Sequence, residues 1–248
     1  MEYYTVCIGT GEIGKPIYEL ANGVFRTLPI DPIHHPDNED KIVLCDFMHI
    51  CIPGEIENFN LIILDYIRQY EPEFVFIHST VVPGTCRFLQ SKTKSIIISS
   101  PVHGKHHNNQ MKKDMLRYPK YVGIPEGSFG HIGNAVYEHL TAMGFSDVRI
   151  IESTENTEWL KVLSTTYFGL IIAWHQEIER ICDKFNLDFD IVTSFFKYQD
   201  DIKSPHYSGI IGGHCVLPNI KIIKSIWQSD LLNWIEQSNE LKKVREND

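Results

Sequence analysis

What this 248-residue sequence lacks narrows its role before any motif is read. It has no run of lysine and arginine, and its net charge is −9. Nothing in it could neutralise a row of phosphates, so nucleic acid is not an expected partner. No apolar stretch approaches the ~18 residues that cross a bilayer, so no membrane span is expected. Its six cysteines (Cys7, Cys45, Cys51, Cys86, Cys182, Cys215) are scattered without a CxxC pair. With no secretion leader they read as reduced thiols of a cytoplasmic protein, most of them small buried apolar residues. The opening MEYYTVCIGTGEIG holds no basic leader and no cleavage pattern, so the whole chain is read as mature protein. There is no internal repeat and no low-complexity segment. No Cys or carboxylate stands at ligand spacing around the histidines of 103–107, so no metal site is expected.

What is present is an ordinary globular composition, 43% apolar and 22% charged. The length suits one large domain or two small ones, with core enough to need no disulfide or metal. Strand-like runs at Tyr3–Ile8, Val24–Ile30, Asp46–Pro53, Phe74–His78 and Ser95–Ser99 alternate with helical stretches. A helix at Gly130–Met143 and a strand at Val148–Ile151 follow. That alternation predicts a parallel sheet covered on both faces. From Thr157 to Asn186 a long run without proline repeats its apolar residues at helical spacing. A segment at Asp190–Tyr198, a glycine-rich loop at Gly209–Cys215 and a last helix from about Ile220 come after it, and Lys242–Asp248 read as frayed. The expected fold is α/β: a Rossmann-type doubly wound parallel sheet over residues 1–151, then a smaller all-helical domain over 152–248.

Gly9-Thr10-Gly11-Glu12-Ile13-Gly14 stands between the first strand and the first helix, and Asp31 closes the second strand 17 residues after Gly14. A GxGxxG in that position is the dinucleotide fingerprint. Gly9 permits the tight turn, Gly11 lets the backbone approach a pyrophosphate, and Gly14 allows close helix–strand contact. The amides that open the helix favour phosphate. Asp31 can accept from a ribose diol and repels a 2′-phosphate, which makes NAD the expected cofactor rather than NADP. An ordinary glycine turn in an empty α/β domain is the competing reading.

Four segments in order resemble the UDP-glucose/GDP-mannose dehydrogenase family. They are the glycine turn; Ser79-Thr80-Val81-Val82-Pro83-Gly84-Thr85, similar to the family's turn beside the nicotinamide; Glu158-Trp159-Leu160-Lys161 followed by Gln176-Glu177; and Gly209-Ile210-Ile211-Gly212-Gly213-His214-Cys215, which resembles the loop carrying the family's catalytic thiol. The resemblance covers nearly the whole chain. It implies a sugar C6 alcohol oxidised to an aldehyde, capture of the aldehyde by a thiolate, and a second oxidation to a thioester that water cleaves. It assigns the thiol to Cys215 and the oxyanion-stabilising cation to Lys161. It adds Pro53, Ser79 and Thr80 to the cofactor site, and Thr165, Gly212, Gly213, His214 and Asn219 to the substrate site. Read alone, Cys215 is equally a structural cysteine and Lys161 a solvated helix lysine.

The departures from the family fall on the active site. The glutamate expected after the Ser-Pro step is Val102, the asparagine expected four residues after Lys161 is Thr165, and the acid expected four after Cys215 is Asn219. His103, one residue from the missing glutamate, is the expected acid/base. Ser-Pro-Val-His-Gly also faintly resembles the His-Pro-x-x-Gly segment of prephenate-type dehydrogenases. Where family members continue into a second α/β domain, this sequence ends. Three functions compete: an NAD-dependent oxidoreductase of a sugar or nucleotide-sugar CH–OH group, a single-step hydroxyacid-type dehydrogenase using Lys161, and a catalytically inactive NAD-binding module. The long helix is too apolar around its circumference for a solvated element. Because the related family dimerises through it, a homodimer acting on a small-molecule substrate is expected.

Overall fold

The computed structural model describes residues 4–38, 44–104, 110–194, 196, 208–212 and 215–247. The chain divides into two compact units, Met1–Lys161 and Val162–Asp248.

In the first unit seven strands form one sheet: β1 (Tyr4–Ile8), β2 (Thr27–Ile30), β3 (Cys45–Ile50), β4 (Phe74–Ile77), β5 (Ile96–Ser99), β6 (Lys120–Gly123) and β7 (Val148–Ile151). Their order is β2-β1-β3-β4-β5-β6-β7. The pairs from β2 to β5 are parallel, as are β6 and β7. β5 and β6 run antiparallel, joined at Ser99–Gly123. The expected sheet is therefore present with one reversed junction. The reversal arises because Lys120–Gly123 is a strand beyond those expected from the sequence.

The helices of this unit are α1 (Gly14–Asn22), α2 (Phe59–Tyr70), α3 (Thr85–Gln90), α4 (Gln110–Arg117), α5 (Asn134–Ala142) and the start of α6 (Thr154–Phe185). The period-2 alternation of each strand sends its side chains to two cores. Val6, Ile8, Met48, Ile50, Val75, Ile77 and Ile97 meet Ile63, Leu64 and Ile67 of α2 and Leu89 of α3. On the other face Cys7, Phe74, Phe76, Ile98 and Val122 meet Ile17 of α1, Met111 and Met115 of α4 and Val136 and Leu140 of α5. The strand order reverses between β1 and β3, and in such a sheet ligands bind beyond the carboxyl ends of the strands at that point.

The second unit is helical among the described residues: the rest of α6, α7 (Phe189–Thr193), α8 (Val216–Lys224) and α9 (Asp230–Asn247). The single last helix expected from Ile220 is two, broken at Trp227–Ser229. The last residues are not frayed, since α9 continues to Asn247 and the Lys242 ammonium meets the Glu179 carboxylate at 2.8 Å. No helix among the described residues is long and apolar enough to cross a membrane.

Candidate functional site

The glycine turn sits at the switch point. Gly9, at φ +83, leaves β1 in a conformation that side chains rarely adopt. Gly14 opens α1 so close to the sheet that a Cβ there would lie 1.8 Å from the Gly9 carbonyl oxygen and 2.9 Å from the Cys51 Cβ. A Cβ on Gly11 would meet nothing within 4 Å, so the backbone there is open to an incoming group. Helix α1 has no side-chain hydrogen bond at its N-cap, Ile13, and no acid in its first turn. No side chain therefore competes with phosphate at this helix start, where the Lys15 amide donates to the Gly11 carbonyl at 2.9 Å and Pro16 has no N–H. An uncapped helix start beside an open glycine is a cradle that fits a dinucleotide's pyrophosphate.

Asp31 ends β2 beside this turn. It is buried at 7% exposure, and its two oxygens already accept hydrogen bonds. Oδ2 takes the Thr10 amide at 2.7 Å and the Thr10 hydroxyl at 3.2 Å, while Oδ1 takes the amides of Ile33 and His34 at 2.9 and 3.0 Å. Burial alone raises the carboxyl pKa, but these hydrogen bonds and the His34 side chain override it and hold Asp31 well below the usual carboxylate range. Asp31 thus braces the glycine turn as well as presenting a charge at the end of β2. Pro53 is exposed in the loop after β3. The Ser79 hydroxyl donates to the Ile52 carbonyl at 2.5 Å, tying the β3 and β4 loops. Gly54 lies so near Thr80 that a Cβ would come within 2.0 Å of the Thr80 oxygen.

Beyond β5, three successive carbonyls are held by side chains. Lys120 Nζ donates to Ser100 at 2.7 Å and Pro101 at 2.9 Å, and Lys161 Nζ donates to Val102 at 2.9 Å. Lys120 was not singled out in the sequence, yet it is only 5% exposed. Its removal from water lowers its pKa to about 7; Cys51 opposes the shift and the charge of Lys161 adds to it. His103 adjoins these lysines. Burial, then the charges of Lys161 and Lys120, push it down to about 4, so at neutral pH its ring is uncharged and can accept a proton. The remainder of the histidine-rich loop, 105–109, lies outside the described residues.

Ser100 also anchors a buried histidine row. His78 Nδ1 lies 2.8 Å from the Ser100 carbonyl, His49 Nδ1 2.9 Å from His78 Nε2, and His139 Nε2 3.1 Å from His49 Nε2. A carbonyl only accepts, so His78 Nδ1 carries the proton, and each following tautomer is fixed in turn. The row ends at His139 Nδ1, a buried acceptor with no partner among the described residues. Among the described residues no group of three or more His, Cys, Asp or Glu is arranged to hold a metal ion.

In the second unit Cys215 is half-buried and stands at the N-cap of α8, its carbonyl accepting from the Asn219 amide at 3.0 Å. Asn219 is 3% exposed, and its side-chain Nδ2 has no hydrogen-bond partner among the described residues. Gly169 of α6, one turn after Thr165, touches α8 so closely that a Cβ would sit 2.5 Å from Val216 Cγ1. This contact brings the neighbour of Cys215 onto the helix that carries Thr165. The loop before Cys215 hangs from two fully buried amides. Gln176 Nε2 donates to the Gly209 carbonyl at 2.9 Å, and Asn239 Oδ1 accepts from the Ile211 amide at 2.6 Å. A Cβ on Gly212 would meet nothing within 4 Å. Gly213 and His214 lie outside the described residues.

The fold and the glycine turn define a Rossmann-type α/β domain followed by a helical unit. Residues 155–242 match the central domain of the UDP-glucose/GDP-mannose dehydrogenase family. Solved structures share the architecture. The UDP-D-ManNAc dehydrogenase of Pyrococcus horikoshii superposes with a TM-score of 0.79 at 13% identity, over 96% of this chain and 68% of that one. The UDP-N-acetyl-mannosamine dehydrogenase Cap5O of Staphylococcus aureus gives 0.74 at 17% identity, over 98% and 69%. The 3-hydroxyisobutyrate dehydrogenase of Mycobacterium tuberculosis, solved with L-serine, gives 0.66 at 12% identity, over 100% and 95%. At these identities the likeness concerns the fold alone. Among curated protein sequences none matches this chain.

Proposed function

We propose that the chain is a cytoplasmic NAD-dependent oxidoreductase of the nucleotide-sugar dehydrogenase type, acting on a CH–OH group of a sugar or nucleotide-sugar. The observation that carries this reading is an open glycine turn at the sheet's switch point, followed by a match to the family's central domain over residues that include Lys161 and Cys215. Residues 1–151 form the NAD-binding domain and 152–248 the dimerisation and substrate domain. The amides of 9–14, with Asp31, Pro53, Ser79 and Thr80, hold the cofactor, which supplies the hydride acceptor when bound. Lys161, fixed by the Val102 carbonyl, stabilises the developing alkoxide. Neutral His103 accepts the hydroxyl proton. Cys215 Sγ adds to the aldehyde carbon, and Thr165, Gly212, Gly213, His214 and Asn219 line the substrate.

Val102 and Asn219 favour a second reading. No carboxylate stands at either position to activate water, so a single oxidation, as in hydroxyacid dehydrogenases, is the alternative, and an inactive NAD-binding module is the third. Intact-protein mass spectrometry separates them. On the first reading substrate and NAD give a covalent adduct that Cys215→Ser abolishes. Steady turnover to an aldehyde or ketone without adduct supports the single oxidation and makes Cys215 structural.

A further inference from the structure

The turn of residues 79–85 joins β4 to α3 at the carboxyl edge of the sheet. From Asp31 on β2, past the glycine turn on β1, the strand order runs through β3 to β4. That is three inter-strand spacings, ~14 Å. A dinucleotide lying along this edge, with its ribose at Asp31 and its phosphates at α1, brings its second ring to this turn.

Within the turn the Val82 carbonyl accepts from the Thr85 amide at 3.0 Å and from the Thr85 hydroxyl at 2.6 Å. Helix α3 has only six residues, and its N-cap is Gly84, at φ +96, with no side-chain cap. Beneath it an open cavity of about 400 Å³ is lined by Gly54, Asn60, Val82, Pro83, Arg87 and Phe88 among others. The amides of Gly84 and Cys86 are held from α6. Glu158 Oε2 accepts from the Gly84 amide at 2.7 Å and Oε1 from the Cys86 amide at 2.8 Å. Its side chain is buried, at 3% exposure. A carboxylate that accepts two amides is a charge-assisted clamp. A glutamine in its place could accept one amide only, and would turn its NH2 against the other.

We propose that Glu158 is a positioning residue that holds the 79–85 turn in the shape that receives the nicotinamide end of NAD, while the adenosine end binds independently of it. This inference rests on the NAD reading above. The test compares binding of NAD and of ADP-ribose, which lacks the nicotinamide, by calorimetry on the full chain. The unmodified protein binds both. Glu158→Gln weakens NAD about tenfold, the loss of one charge-assisted hydrogen bond, and leaves ADP-ribose within about twofold. Equal weakening of the two ligands, or weakening of neither, overturns the inference. If the unmodified protein binds neither ligand, the NAD reading itself fails, and this inference with it. Should Glu158→Gln not fold, amide hydrogen exchange on the unmodified protein decides. NAD then slows exchange at Gly84 and Cys86 more than ADP-ribose does, and identical protection by both ligands overturns the inference.

Discussion

Lowering the pH from 7.5 to 5.5 should destabilise the first unit through its buried histidines. His49, His78 and His139 are at most 3% exposed, and their tautomers are fixed from the Ser100 carbonyl outward. A proton added to His49 or His78 would set donor against donor, and one added anywhere would bury a charge. Burial accordingly lowers the His49 and His78 pKa values well below the ordinary histidine range and takes His139 down to about 3. Each folded-state value lies under the unfolded value of about 6.5. The contribution to stability is therefore complete above that pH and is lost as pH falls toward the folded values, because only the unfolded chain takes up the proton. Three such groups give a loss of about 4 kcal/mol per pH unit once the unfolded histidines titrate, hence about 4 kcal/mol between pH 7.5 and 5.5. Domains are typically stable by only about 5–15 kcal/mol. With a urea dependence of about 2 kcal/mol per molar, the midpoint should fall by roughly 2 M. Urea unfolding followed by far-ultraviolet circular dichroism reads this. His139→Phe, which keeps the ring stacked on Phe47, should reduce the pH dependence by about a third. Equal midpoints at the two pH values would refute the burial argument.

Other outcomes follow from the same geometry. Unmodified protein should bind NAD(H) at least about tenfold more tightly than NADP(H) by calorimetry. Asp31→Ala should narrow that gap and lower stability by about 1–3 kcal/mol, because the amides of Thr10, Ile33 and His34 lose their acceptor; equal binding of both cofactors by the unmodified chain rejects the assignment. Gly14→Ala should abolish NAD binding, since its Cβ would overlap the Gly9 carbonyl, and unchanged affinity would refute the tight-approach reading. Leu163, Tyr167, Trp174, Ile181 and Phe185 form an exposed apolar stripe along α6. Light scattering at micromolar concentration should therefore find a homodimer, and Tyr167→Glu should yield monomers; a monomeric unmodified chain contradicts the pairing.

The glycine turn was legible because its demands are local: Gly9, Gly14 and Asp31 each answer a backbone constraint within one strand–helix–strand unit. The long helix was legible from its period, and Val6/Ile8 and Phe74/Phe76 betrayed their strands. Lys120 was not, because a lone lysine between Pro119 and Tyr121 reads as surface until β6 is known to run antiparallel to β5. The histidine row was hidden for a similar reason. His49, His78 and His139 come from β3, the end of β4 and α5, and only the assembled sheet brings them within hydrogen-bonding distance. Glu158 was visible only as part of a resemblance, and its contacts with Gly84 and Cys86 span more than seventy residues of chain. The charged run Lys242–Asp248 suggested fraying, and the pairing of the buried Lys242 with Glu179 shows what fixes it.

The measurement that bears most directly on the central claim is NADH formation by the full chain with NAD and, one at a time, UDP- and GDP-sugars, sugar phosphates and hydroxyacids. With a nucleotide-sugar or sugar, a rapid first phase of about two NADH per chain should be followed by slow turnover, because the roles proposed for Lys161 and Cys215 carry both oxidations while Val102 and Asn219 offer no carboxylate to drive hydrolysis of the thioester. No NADH from any of these compounds, by protein that binds NAD tightly, would contradict the central claim.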